Sequence, residues 1–369
     1  MWMARRARNS RGAVTNPPPS SDESWPARVR CELQQLWQFL LPEERLLVWV
    51  ALAVAVLCHS TGTGFTVRRV LAGYDGLFAY NLALIFVVSR VVYWWRQRHP
   101  HPMAWNDGPS LLGDISMIRA TLFVMAYLTV YTNLKVRIPM LNPDKHDWGL
   151  RVFERQLFFG IDPVAEFRTL QEHPTLMRFL DEVYHHGYLF MALCTLLLYM
   201  NHGPRHVRHL VTSMGVLYLL GVAFTALWPT LGPCFFEPAS YKWLRQLGLE
   251  SAASQSMLRG QQKAAMEAFA LAETREIRAF SGIAALPSLH VGHLLLLVRF
   301  ASAYFPRLNW VFVPATLLTW VATLAFGWHY LMDGLVVPLF VAAAWFISQR
   351  LVFGQQDPPR YDTKPQPTT

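Results

Sequence analysis

Apolar runs long enough to cross a bilayer recur along this chain, and they restrict its fold more than any other feature. Leu46–Leu57, Leu77–Trp95, Ile115–Leu134, Val216–Trp228 and Leu294–Phe305 consist largely of Leu, Val, Ala, Phe and other aromatics. With their flanks they reach the roughly 20 residues that a helix needs to span the hydrocarbon core. Of all residues 53% are hydrophobic and only 15% charged, too little charge to coat a soluble fold. The expected class is all-α, a polytopic membrane helical bundle with about eight transmembrane helices. They fall at roughly 46–65, 77–95, 115–134, 183–201, 208–228, 289–305, 309–328 and 332–351, and the last six form the core domain, 115–351.

The net charge of +9 does not point to nucleic acid, because Lys and Arg lie between the apolar runs instead of forming one basic face. They read as topology. An even number of spans puts both termini on one side. Arg96 and Arg98, Arg205 and Arg208, Arg307, and the tail after Arg350 would then be cytoplasmic. The opposite side receives the short Arg68-Arg69 loop and two connections, 135–182 and 229–286, too long to be mere linkers. Within the second, Gln261–Arg278 is rich in helix formers, with Met266, Phe269, Ala270 and Leu271 partly on one face. It is expected to lie on the membrane surface or to cap a cavity, and a solvated helix and a substrate lid both fit.

Residues 1–44, with Arg5, Arg6, Arg8, Arg11 and Pro17-Pro18-Pro19, have the composition of a cytoplasmic disordered or amphipathic region. No apolar segment follows closely and no small-residue cleavage site is seen, so a cleaved leader is not expected. Residues 45–114 supply two accessory transmembrane helices, and 352–369 a disordered tail. The four cysteines, Cys31, Cys58, Cys194 and Cys234, are too scattered for a disulfide framework or a metal site.

Two short segments carry chemistry: Leu286-Pro287-Ser288-Leu289-His290 opens the sixth helix, and Gly327-Trp328-His329-Tyr330-Leu331-Met332-Asp333-Gly334 joins the seventh to the eighth. The topology brings both to one membrane face. His329 and Asp333 are four apart, so on a helical turn the carboxylate can hold one ring nitrogen while the other acts as a nucleophile. Pro287 is suited to opening a helix, which puts Ser288 and the amides around Leu289 where a phosphate binds, with His290 beside it as proton donor. Singly, each residue has a plainer role: an interfacial His is usually structural, Ser288 could be only a cap and Asp333 only an interfacial charge. Two His, one Asp and one Ser converging on one face favour a site.

The two segments resemble the second and third signature motifs of the type-2 phosphatidic acid phosphatase superfamily, Pro-Ser-Gly-His and Ser-Arg-five residues-His-three residues-Asp. Pro287-Ser288-Leu289-His290 follows the first, and His329 and Asp333 keep the second, with Ala322 and Thr323 where Ser and Arg are usual. The form Leu-Pro-Ser-Leu-His with His-Tyr-two residues-Asp is similar to the inositol phosphorylceramide synthase-like branch. Gln156–Pro163 likewise resembles that branch's Leu-Phe-Gly-any-Asp-Pro element, and Trp228–Pro233 its Pro-rich turn. The resemblance covers roughly residues 115–350.

The resemblance implies that His329 attacks a lipid phosphoester, Asp333 holds its tautomer and His290 protonates the leaving oxygen, giving a phosphohistidine that an acceptor hydroxyl or water then opens. It implies a membrane lipid phosphotransferase, with a lipid phosphate or polyprenyl pyrophosphate phosphatase as the alternative; a membrane transporter is the rival from another class. Neither cofactor nor metal is called for. The partners expected are a lipid phosphoester and the surrounding lipids, and the site would face the periplasm, the exterior or a lumen. Phosphate would be held by Ser288 and by Lys135, which is followed after six residues by Asn142-Pro143 where the family's first motif has Arg-Pro, or by Arg137. Lys135 could equally be a snorkelling residue at a helix end. His185, His186 and Tyr330 are candidate substrate contacts, and His293 a further histidine near His290.

Overall fold

A computed structural model describes residues 37–62, 111–187, 189–270 and 283–354, together with 34, 65, 87, 90, 94 and 98. All regular structure among them is helical. The chain divides into two compact units, 1–45 and 46–369. In the first, Arg45 donates to the carbonyls of Trp37 and Gln38 at 3.0 and 3.2 Å.

The helices are α1 (Pro42–Ser60), α2 (Leu111–Lys135), α3 (Asp147–Leu157), α4 (Pro163–Thr169), α5 (Pro174–His186), α6 (Leu189–His202), α7 (Pro204–Leu227), α8 (Glu250–Ala270), α9 (Leu289–Tyr304), α10 (Asn309–Ala325) and α11 (Leu331–Phe353). One-turn and 3-10 segments connect them, the longest being Pro238–Leu247. By length and apolarity, four stretches qualify as spans: Pro174–His202, Pro204–Leu227, Pro306–Ala325 and Leu331–Phe353, with Leu289–Tyr304 apolar but shorter. Helices α1 and α2 stand where the first and third spans are expected, and the second, at 77–95, lies largely outside the described residues.

Helix α7 is central, packing on α2, α6, α9 and α11. Where the surrounding solvent is as apolar as the side chains, helices associate by close fit, and glycines supply it. An added Cβ at Gly215 would press on Tyr127 and Phe123 at 3.1 and 3.2 Å, at Gly221 on Leu289 at 2.8 Å and at Gly292 on Val337 at 2.7 Å. Between α7 and α11, the Ser213 and Ser348 hydroxyls meet at 2.5 Å.

Two expectations need correction. The connection 135–182 is not a loop: α3, α4 and most of α5 occupy it, and the fourth predicted helix begins at Pro174 instead of 183. These helices are amphipathic and bury one edge against protein, so they lack a long apolar run. The helix expected at 261–278 starts at Glu250, because the Asp181 carboxylate accepts from the Glu250 and Ser251 amides at 2.7 and 3.0 Å. That cap comes from another helix, α5, and leaves no local signature. Residues 271–278 lie outside the described set.

A Cβ at Gly334 of α11 would overlap the indole of Trp320 on α10. Gly334→Ala should therefore cost about 1–3 kcal/mol through overpacking. Thermal unfolding in detergent should show the loss, whereas Gly149→Ala, with nothing within 4 Å of the new methyl, should show none.

Candidate active site

The turn between α10 and α11 is shaped by its glycine. Gly327 has φ +70°, and a Cβ there would strike the Tyr241 ring. The chain then doubles back: the Trp328 and His329 amides both donate to the Thr323 carbonyl, at 2.9 and 3.3 Å. Helix α11 begins after Tyr330, its N-cap, and Asp333 is its third residue.

His329 thus stands just outside the helix, and it meets Asp333 through the cap and not across a helical face. The Asp333 Oδ2 accepts from the Tyr330 amide at 2.9 Å and lies 3.1 Å from His329 Nδ1. Both residues are buried. With Nδ1 held by the carboxylate, Nε2 is the nitrogen left to react.

The second segment is joined to the first through the backbone. The Ser288 amide donates to the Asp333 carbonyl at 3.1 Å. Ser288 is the N-cap of α9, its hydroxyl accepting from the Val291 amide at 3.5 Å, so Ser288 and the Leu289 amide lie at the helix N-terminus with Pro287 just before the cap. His290, in the first turn, lies with its ring centroid 6.2 Å from that of His329, edge toward face. Its Nε2 is 3.0 Å from the hydroxyl of Tyr184 on α5. Tyr184 stacks on Trp328 with centroids 6.1 Å apart and planes at 12°, and Phe235 also packs on Trp328, with centroids 5.7 Å apart.

Of the remaining candidates, Lys135 ends α2 within electrostatic reach of His290, its Nζ 5.5 Å above the Tyr131 ring. His185 is also within reach of His290, and its Nδ1 is engaged by the Asp181 carbonyl at 2.9 Å. Arg137 is buried, donating to the carbonyl and side-chain oxygen of Asn133 at 2.7 and 3.1 Å and interacting with Cys58 of α1. Its charge therefore has structural partners. His186 is 61% exposed on α5, its Nδ1 engaged by Glu182 one turn back on the same helix. Tyr330 is buried, and its hydroxyl donates to Asp147 at 2.9 Å. Burial first, and the Asp147 charge next, push that hydroxyl far above its ordinary range and keep it a donor.

Asp147, Glu154 and Tyr184 were not singled out by sequence. Asp147 opens α3 and accepts from the Leu231 amide at 3.0 Å, the Gly232 amide at 2.9 Å and Tyr330. One carboxylate thus ties the Pro-rich turn to the residue after His329. Gly232, at φ +92°, lets that turn approach so closely that a Cβ would collide with the Trp328 carbonyl. Glu154, seven residues on, accepts from the Met332 amide at 2.7 Å. The seven-residue spacing on one helix face was the available signal.

Asp147→Asn turns an acceptor into a donor facing backbone amides, and should cost about 1–3 kcal/mol of stability together with most turnover. Tyr330→Phe removes one donor of several and should cost about 1 kcal/mol. Chemical unfolding of both variants checks the order.

Among known families, the PAP2 superfamily matches residues 148–347, more than half of the chain, and the match contains His290, His329 and Asp333. No curated protein and no solved structure matches the chain. Members of this superfamily are phosphatases or phosphotransferases acting on phosphoesters, and the apolar helices fit an integral membrane protein of that kind. The chain belongs to the PAP2 superfamily.

Proposed function

We propose that the protein is a membrane lipid phosphotransferase of the inositol phosphorylceramide synthase-like type, moving a phospho-headgroup from a lipid donor to a hydroxyl acceptor. The observation that carries this reading is the His329–Asp333 pair with the His290 ring 6.2 Å away. His329 Nε2 attacks phosphorus, the bond to the leaving oxygen breaks, and His290 gives that oxygen its proton. The acceptor hydroxyl then attacks the phosphohistidine while His290 takes its proton, restoring both rings. Lys135 and the first-turn amides of α9 supply positive potential for the phosphoryl oxygens, in the role the superfamily usually gives to the arginine replaced here by Thr323. Transfer over hydrolysis is favoured by the enclosure: Tyr184 packs on His290 and on Trp328, and His329 is 6% exposed, so water competes poorly with an alcohol.

The reaction site belongs, on this reading, to the non-cytoplasmic face. It lies at the Trp228 end of α7, whereas Arg205, whose guanidinium donates to the Val352 carbonyl at 3.2 Å, lies at the other end. Arg208, Arg307 and Arg350 sit in the same end turns as Arg205 or in short connections between them. The domain plan proposed is an N-terminal region to 44, accessory spans to 114 and the catalytic bundle over 115–351.

His329→Ala should abolish turnover of a labelled lipid phosphoester and, because it takes one partner from the buried Asp333 carboxylate, should also cost about 1–3 kcal/mol of thermal stability. His290→Ala should lose turnover yet accumulate some phosphoenzyme with an activated leaving group. Product analysis with a panel of hydroxyl acceptors checks the class: label moving only to water would make the protein a phosphatase.

For the orientation, a membrane-impermeant thiol reagent on intact cells should label Ala239→Cys and not Arg205→Cys, in a background lacking Cys31, Cys58, Cys194 and Cys234. The reverse pattern would turn the site to the cytoplasm.

A further inference from the structure

We propose that Glu154 is a positioning residue of this site: from α3 it fixes the first turn of α11, which carries Asp333, and its charge state sets how readily His329 accepts positive charge. The inference rests on the phosphohistidine reading above and extends it to a residue on a different helix.

The geometry begins with α3. Its buried edge consists of Asp147, Leu150 and Glu154, and both acids point into the end of the bundle that holds the histidines. Asp147 is supplied with donors, from Leu231, Gly232 and Tyr330. Glu154 is not. Its Oε1 takes the Met332 amide at 2.7 Å, but its Oε2 is buried with no hydrogen-bond partner among the described residues. Met332 is the second residue of α11 and Asp333 the third, so a shift of Glu154 moves the turn on which the His329–Asp333 bond depends.

A structural cap would not need this arrangement. A carboxylate at a helix N-terminus is ordinarily favoured by the dipole and stays ionised. Here burial comes first, and the charges of Asp333 on α11 and Asp162 at the N-cap of α4 add to it. Together they outweigh the Met332 and Leu331 amides and push the carboxyl up to about 7. The nearest cation on α3, Arg151, is committed to Asp162 and Glu237. The group therefore changes its charge near neutral pH. When ionised it adds negative potential behind the Asp333–His329 pair, and that potential favours the imidazolium character that His329 acquires on bonding to phosphorus. Turnover should rise as pH increases through 7.

The sign for stability is the opposite. A carboxyl raised in the folded state binds a proton that the unfolded chain releases. Its contribution is therefore present at low pH and is lost as pH rises through about 7.

The test compares the full-length parent with Glu154→Gln, which keeps an acceptor for the Met332 amide and never ionises, from pH 5 to 8.5. The expected result is a kcat about tenfold lower at pH 8, converging with the parent below pH 6, an unchanged KM, and loss of the limb near 7, because the Glu154 charge acts on Asp333, the partner of His329. Glu154→Asp, which keeps the charge and shortens the reach, should lower kcat and retain the limb. Independently of substrate, the melting temperature of the parent should fall relative to Glu154→Gln between pH 5 and 8. Identical pH–rate profiles in parent and Glu154→Gln would overturn the proposal, as would a melting-temperature difference that does not vary with pH. If the parent turns over no lipid phosphoester, the functional reading fails, and the melting comparison still decides whether Glu154 titrates as described.

Discussion

The Asp333 carboxylate carries the arrangement on which the rest of the site depends. A buried carboxylate is costly unless its lone pairs are used, and Oδ2 is used twice, by the Tyr330 amide and by His329 Nδ1. The first contact caps α11; the second selects which imidazole nitrogen remains to react. The Asp333 carbonyl then takes the Ser288 amide, so the cap of α9 is anchored to the same residue. Helix start, tautomer and the approach of His290 are consequently one structural event.

The bundle divides its labour along its length. In the shaft, α7 meets its neighbours through Gly215, Gly221 and the Ser213–Ser348 pair, with few ionisable groups, as apolar surroundings demand. At the Trp228 end the polar network gathers: Asp147 gathers the Leu231 and Gly232 amides and the Tyr330 hydroxyl, Thr230 accepts from the Ala285 and Leu286 amides, and Asp181 caps α8. These contacts join segments more than fifty residues apart. Their effect is to hold an irregular backbone rigid at the bundle's end, where irregular backbone is tolerated because protein, and not lipid, surrounds it.

The PAP2 superfamily match contains the two histidines and the aspartate, and on the reading proposed above the cation comes from another helix. With Thr323 buried and its hydroxyl returned to the Trp320 carbonyl, α10 offers no charge at the usual position. Lys135, from the end of α2, is within electrostatic reach of His290, whereas the Arg137 guanidinium two residues later donates to Asn133. Spacing alone left the two open, and the proposed reading takes Lys135 because of its reach toward His290.

What the sequence determined by itself was the all-helical class, four of the eight expected spans and the meeting of Ser288, His290, His329 and Asp333. Lipid permits only long apolar helices, and the alternation of their direction brings the two motifs to one face. Tertiary structure decided what hydropathy does not encode. Helices α3, α4 and α5 bury only an edge, so no apolar run announces them, and α8 starts at Glu250 because a carboxylate on α5 caps it. The His329–Asp333 contact looks like a helical i, i+4 pair in sequence, yet Gly327 turns the chain so that His329 stays outside the helix and is reached through the cap. Asp147, Glu154 and Tyr184 acquire their roles from partners 183, 178 and 106 residues away, and contacts at that separation exist only once the bundle has closed.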